Sequence, residues 1–150
     1  MAPAALFSPS SLGRRQSAST VQFPVHQPGI SGAFIGWLQQ FGLSTDGSVD
    51  LTDSDGDLLN NWQEWIAGTN PANALSALRL LAPSVQGTKI IINWQSAVGE
   101  TYSLERTGNI SDPFTSLITG IQGLPGTTSY SDTNALGAGP FFYRVRVGGF

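Results

Sequence analysis

Cysteine is absent from the chain, which removes disulfides, thiol nucleophiles and thiolate metal sites, and leaves oxygen as the ligand type open to a metal. Histidine occurs once, at His26, with no neighbouring group to orient it for catalysis. Lysine also occurs once, at Lys89, and the arginines are scattered apart from the pair Arg14–Arg15. With a net charge of −3 there is no basic face to neutralise a run of phosphates, so nucleic acid is not an expected partner. No G-x-G-x-x-G or other glycine-rich phosphate loop occurs. No apolar run approaches the roughly 18 residues that span a bilayer, so no membrane span is expected. The leading MAPAALFSPSSLGRRQ has neither the basic start nor the long apolar stretch of a signal peptide. The expectation is a soluble chain whose export signal, if the parent protein is exported, lies elsewhere. The chain would then be a carboxy-terminal piece or the product of a late start codon.

What is there points to β-structure. The 150 residues suffice for one ordinary domain with a short accessory motif. Only 11% of residues are charged, while Gly, Ser, Thr and Pro are abundant, a composition of strands and turns rather than long solvated helices. Residues 1–30, rich in Pro, Ser, Ala and Gln without a sustained period, read as a disordered linker, with His26 inside it as a solvated residue. Residues 31–72 read as a helix, an acidic loop and a second helix, and residues 73–150 as a small antiparallel β-sandwich. The fold class expected is thus mainly β.

In SGAFIGWLQQFG, Phe34, Trp37, Leu38 and Phe41 fall at i, i+3, i+4 and i+7, one face of a short helix that Ser31 can cap and Gly42 can end. In NWQEWIAG, Trp62, Trp65 and Ile66 share a face and Gly68 supplies the stop. The helical spacing assigns these rings to mutual packing rather than to a carbohydrate platform. Beyond the GTNP turn the period becomes two. Ile90, Ile92 and Trp94 alternate with Lys89, Ile91, Asn93 and Gln95; Tyr102 and Leu104 alternate with Ser103 and Glu105; Tyr143, Val145 and Val147 alternate with Phe142, Arg144 and Arg146. Further strands are expected at Ala77–Ala82, Thr115–Thr119 and Thr127–Ser131, giving about six short strands at sandwich spacing.

The chemistry concentrates in DSDGDLLNNWQE, Asp53 to Glu64. Aspartates at alternate positions of a turn can aim their carboxylates at one point, and a glutamate on the next helix can close the site. The spacing matches positions 1, 3, 5 and 12 of a helix-loop-helix calcium loop. Asp53, Asp55 and Asp57 would supply side-chain oxygens, Leu59 its backbone carbonyl, Asn61 a contact through water and Glu64 a bidentate carboxylate. Hard oxygen ligands, six or seven in number, select Ca2+ over transition metals and magnesium. An acidic solvated turn before a helix is the alternative, but it leaves unexplained why four carboxylates gather against their mutual repulsion. The glycine usual at position six is Leu58 here, and a leucine forced into a left-handed conformation costs roughly 1–2 kcal/mol.

The run GWLQQFGLSTDGSVDLTDSDGDLLNNWQEWIAGTNPANALSALRL resembles a carboxy-terminal pattern of large secreted proteins of Verrucomicrobia and Planctomycetes. In that family a loop resembling those of dockerin and thrombospondin type 3 repeats reads DxDGDGxxNxxE and is followed by GTDP. The later INWQS, GETYSLERTGNI, SYSDTNA and GPFFYRV are similar to the family's fibronectin type III-like sandwich. The resemblance spans about Gly32 to Val147 and implies metal ligands at Asp53, Asp55, Asp57, Asn61 and Glu64. Two positions depart from it: Leu58 stands for glycine, and Asn70 for the aspartate of GTDP. One loop is present where dockerins carry two, which argues against cohesin docking. The resemblance implies an extracellular or cell-surface location and a monomer whose partners are extracellular polysaccharide or other domains of a parent protein.

An enzyme is not expected. Without cysteine, and with its one histidine in the linker, the chain cannot assemble the usual nucleophile–base pairs. The two carboxylates that glycoside hydrolysis needs could only be Glu100 and Glu105, and both read as solvated. The leading expectation is a non-catalytic, calcium-binding structural or adhesion module. A carbohydrate-binding module, and a sorting or attachment domain recognised by secretion machinery, are the alternatives.

Overall fold

The computed structural model describes residues 19–23, 32–135 and 139–148. Apart from residues 19–23, the expected linker, with His26, lies outside the described residues, as does the cap expected at Ser31. The chain divides into two compact units, one formed by residues 1–22 with 79–150 and the other by residues 23–78. It is mainly β: seven strands in two sheets, with two short helices, among the described residues. None of these helices is long and apolar enough to cross a membrane.

The first unit contains β1 (Ser19–Gln22), β2 (Ser84–Gln86), β3 (Lys89–Ser96), β4 (Thr101–Thr107), β5 (Thr115–Gln122), β6 (Gly126–Asp132) and β7 (Phe142–Val147). One sheet runs β1-β7-β4-β5 and the other β2-β3-β6. The period of two expected for β3, β4 and β7 puts Ile90, Ile92, Trp94, Tyr102, Leu104, Tyr143, Val145 and Val147 in the core. The two sheets face each other through these side chains, with the rings of Trp94 on β3 and Tyr102 on β4 edge to face at 5.8 Å. A polar tie crosses the same gap. Asp132 on β6, 2% exposed, accepts from Arg106 of β4 at 2.6 Å and from the Tyr143 hydroxyl of β7 at 2.9 Å. A buried carboxylate is tolerated when paired and hydrogen-bonded in this way.

Four features differ from the sequence expectation. Residues 19–22, assigned to the linker, form β1, and β1 pairs with β7 in parallel, Val21 opposite Val145, so the sheets are not purely antiparallel. The strand expected over Ala77–Ala82 reduces to an isolated bridge between Leu80 and Trp94, flanked by hydrogen bonds from Leu81 to Asn93 and from Gln95 to Arg79. β2 arises instead, as the first arm of a hairpin onto β3. Glu105, expected to be solvated, is 9% exposed, because β7 places Arg144 opposite it and the two form an ion pair. The Arg144 guanidinium in turn lies 4.4 Å over the Phe114 ring. Glu100 is half-buried, and that burial raises its carboxyl above the ordinary carboxylate range.

The second unit contains α1 (Gly32–Gln40) and α2 (Asn61–Ala67). Phe34 and Leu38, one turn apart on α1, are buried. The Phe34 ring meets Trp62 at 5.3 Å and Trp65 at 5.2 Å, and Trp37 meets Phe41 at 4.9 Å, so the aromatic faces of the two helices pack on one another. Gly68 ends α2 in the left-handed conformation, its N–H turned back to Glu64 and Trp65.

Candidate metal centre

The acidic loop is closed at its neck by backbone pairing. The N–H of Asn61 donates to Thr52 and that of Trp62 to Asp50, both at 2.9 Å. Within the loop the aspartates collect backbone donors. Asp53 accepts from Gly56 at 2.7 Å on one oxygen and from Leu58 at 2.9 Å on the other; Asp55 accepts from Asp57 at 3.2 Å, and Asp57 from Leu59 at 2.7 Å. Aspartate side chains that bond backbone a few residues on wind the chain into turns. The winding carries the three carboxylates inward, and one oxygen of each of Asp53, Asp55 and Asp57 lies within 4.8 Å of the others. Gly56 at φ +84° and Leu58 at φ +79° make the left-handed turns this path requires.

Glu64 stands outside that tight trio but inside its field. It is fully buried on α2, with one carboxylate oxygen 3.4 Å from the Thr69 hydroxyl and the other lacking a hydrogen-bond partner. Burial, and after it the charges of Asp55 and Asp57, push its pKa up to about 8; the Thr69 hydroxyl works in the opposite direction. One oxygen of Asp55 is likewise buried without a hydrogen-bond partner. Buried acceptors of this kind call for a proton or a cation.

The other two expected ligands sit differently. Asn61 is fully buried, and its amide takes the Ser54 hydroxyl at 2.9 Å and donates to the Val49 carbonyl at 2.8 Å, so the side chain helps to hold the loop closed. Leu59, two residues beyond Asp57, is buried, its N–H bound to that carboxylate. Asn70, where the resembled family carries aspartate, accepts from the N–H of Ala72 at 3.0 Å and shapes its own turn.

The residue that positions Glu64 was not singled out from the sequence. Asn60 caps α2: its side chain accepts from the N–H of Gln63 while the Gln63 side chain accepts from the N–H of Asn60. The signal was present as N-x-x-Q ahead of an apolar run, the capping-box spacing with asparagine in the leading position. Ser54 and Thr69, which steady Asn61 and Glu64, carry no signal that spacing could reveal, because each acts across a turn of the folded loop.

Comparison of the chain with known protein families, curated proteins and solved structures finds no match in any of the three.

Proposed function

We propose that residues 53–64 hold a calcium ion, and that the chain is a non-catalytic structural or adhesion module of a larger secreted or cell-surface protein, made of an ion-ordered loop and a fibronectin type III-like sandwich. The observation that carries the reading is Glu64, fully buried with an oxygen lacking a hydrogen-bond partner, in the field of the three clustered aspartates. A divalent cation turns that repulsion into attraction. Asp53, Asp55, Asp57, Glu64 and the Leu59 carbonyl offer oxygen alone, the donor type that suits calcium. The aromatic rings of α1 and α2 stack on one another, which supports a packing role and leaves the carbohydrate reading without an observation of its own.

The test is differential scanning calorimetry in chelator, calcium and magnesium. With the dissociation constant of about 10⁻⁴–10⁻³ M common in extracellular modules, a tenfold excess of calcium stabilises the fold by about 1.4 kcal/mol. Magnesium does less, because it demands a tighter shell and releases its waters reluctantly. Glu64→Gln removes the calcium response. Identical melting curves in all three solutions overturn the reading.

A further inference from the structure

Leu58 is the one residue other than glycine, among those described, that holds a positive φ, +79°. A leucine resists that conformation because its Cβ crowds the following carbonyl oxygen. Packing does not explain its presence there, since the side chain is 73% exposed. What holds the turn is a hydrogen bond from the Leu58 N–H to Asp53 at 2.9 Å, with Gly56 bound to the other oxygen of the same carboxylate at 2.7 Å. Asp53 therefore has two tasks. It clamps the strained turn, and it belongs to the trio whose oxygens lie within 4.8 Å of one another. The buried Glu64, with an oxygen lacking a hydrogen-bond partner, is a second mark of a cation at the same place.

We propose that Leu58 sets the cation affinity of this loop, because the left-handed turn at Leu58 and occupancy of the site are one event joined through Asp53. The proposal rests on the calcium reading above. Without the ion, Asp53 is repelled by Asp55 and Asp57, its hold on the Leu58 N–H loosens, and Leu58 returns to a conformation that its Cβ tolerates. With the ion, Asp53 is drawn in and Leu58 is forced back through the turn. The strain is then incurred at each binding event and subtracts from affinity, so the loop fills at high free calcium and empties as calcium falls. Glycine or asparagine at this position occupies the left-handed region with little strain and removes the penalty.

The experiment is calcium titration calorimetry on the full chain and on Leu58→Gly, Leu58→Asn and Leu58→Ala, with melting of all four in chelator. The glycine and asparagine variants should bind about three- to tenfold more tightly, the range left after the greater freedom of an empty glycine loop offsets part of the relieved strain. Alanine keeps the Cβ and should stay within about twofold of leucine. Melting in chelator should be the same for all four, because the empty loop is relaxed. Equal affinities, together with higher melting temperatures in chelator for the glycine and asparagine variants, place the strain in the fold whether or not the ion is bound, and overturn the proposal while leaving the calcium reading intact. Tightening by alanine equal to that by glycine assigns the effect to the exposed side chain and also overturns it. No binding heat in any of the four, with no calcium effect on melting, sinks both.

Discussion

In the sheet unit the side chains fully withdrawn from water include Trp94, Tyr102, Leu104, Tyr143, Val145 and Val147; in residues 23–78 they include Asn61 and Glu64 beside Phe34 and Leu38. The first set is apolar apart from two phenols, and the carboxylate buried beside it, Asp132, is paired within the fold with Arg106 and Tyr143, so its burial contributes much the same free energy whatever ions are present. The second mixes aromatic packing with a buried carboxylate, whose contribution changes sign according to whether it meets a proton, a cation or neither. One region is thus self-sufficient and the other conditional on its solution.

The sheet side of this contrast breaks at Trp94. Trp94→Ala removes a ring that is 0% exposed and should destabilise the sheet unit by about 3–5 kcal/mol. The loss should be equal in chelator and in calcium, as read by chemical denaturation. A loss below about 1 kcal/mol, or one that calcium repairs, contradicts the contrast.

The conditional side sharpens with pH. Folding in the absence of the ion raises the Glu64 pKa from 4.5 to about 8, so the folded unit holds that proton more tightly than the unfolded chain does. This contribution is complete below pH 4.5 and is lost as pH climbs through 8. In chelator, amide exchange at Asn61 and Thr69 should accelerate over that window beyond the ordinary base-catalysed rise. In calcium the trend reverses, because the departing proton makes room for the ion, and Glu64→Gln flattens both. Protection that ignores pH in chelator contradicts the burial of Glu64. The smallest effect concerns the cap that sets Glu64 in place. Asn60→Ala should cost about 1 kcal/mol, seen as faster exchange at Gln63, whose N–H loses its acceptor. No change at Gln63 would mean that the helix start is fixed by the loop neck instead.

Legibility in the sequence follows the same division. β3, β4 and β7 announce themselves because one face of each is apolar at every second residue, and the Gly42 and Gly68 stops fall where the periodic faces end. β1 and β2 do not. Each is four residues or fewer, with Val21 or Val85 as its one apolar side chain, too short to display a period, and the partner of β1 lies at the far end of the chain. Glu105 was misjudged because alternation says which face a residue takes, not what stands on that face; Arg144 covers it from the neighbouring strand. At the acidic loop the spacing of Asp53, Asp55 and Asp57 foretold their convergence, since the turns are wound by the aspartates themselves. The engagement of Asn61 with Ser54 and Val49 was hidden, because it depends on how the neck closes.

The position of β1 bears on how the chain can be handled. It precedes residues 23–78 in sequence yet seats on β7, with Gln22 accepting from Arg146 at 2.9 Å. A chain shortened to begin at residue 31, where the helical pattern starts, discards that strand. β7 then becomes a border, and the backbone groups along its Tyr143–Arg146 stretch that β1 had covered lie open to any extended segment nearby. Such an open border is where edge-to-edge aggregation between molecules begins. The shortened protein should therefore lose solubility while keeping its acidic loop, and the few residues around Val21 act as an intramolecular guard against self-association.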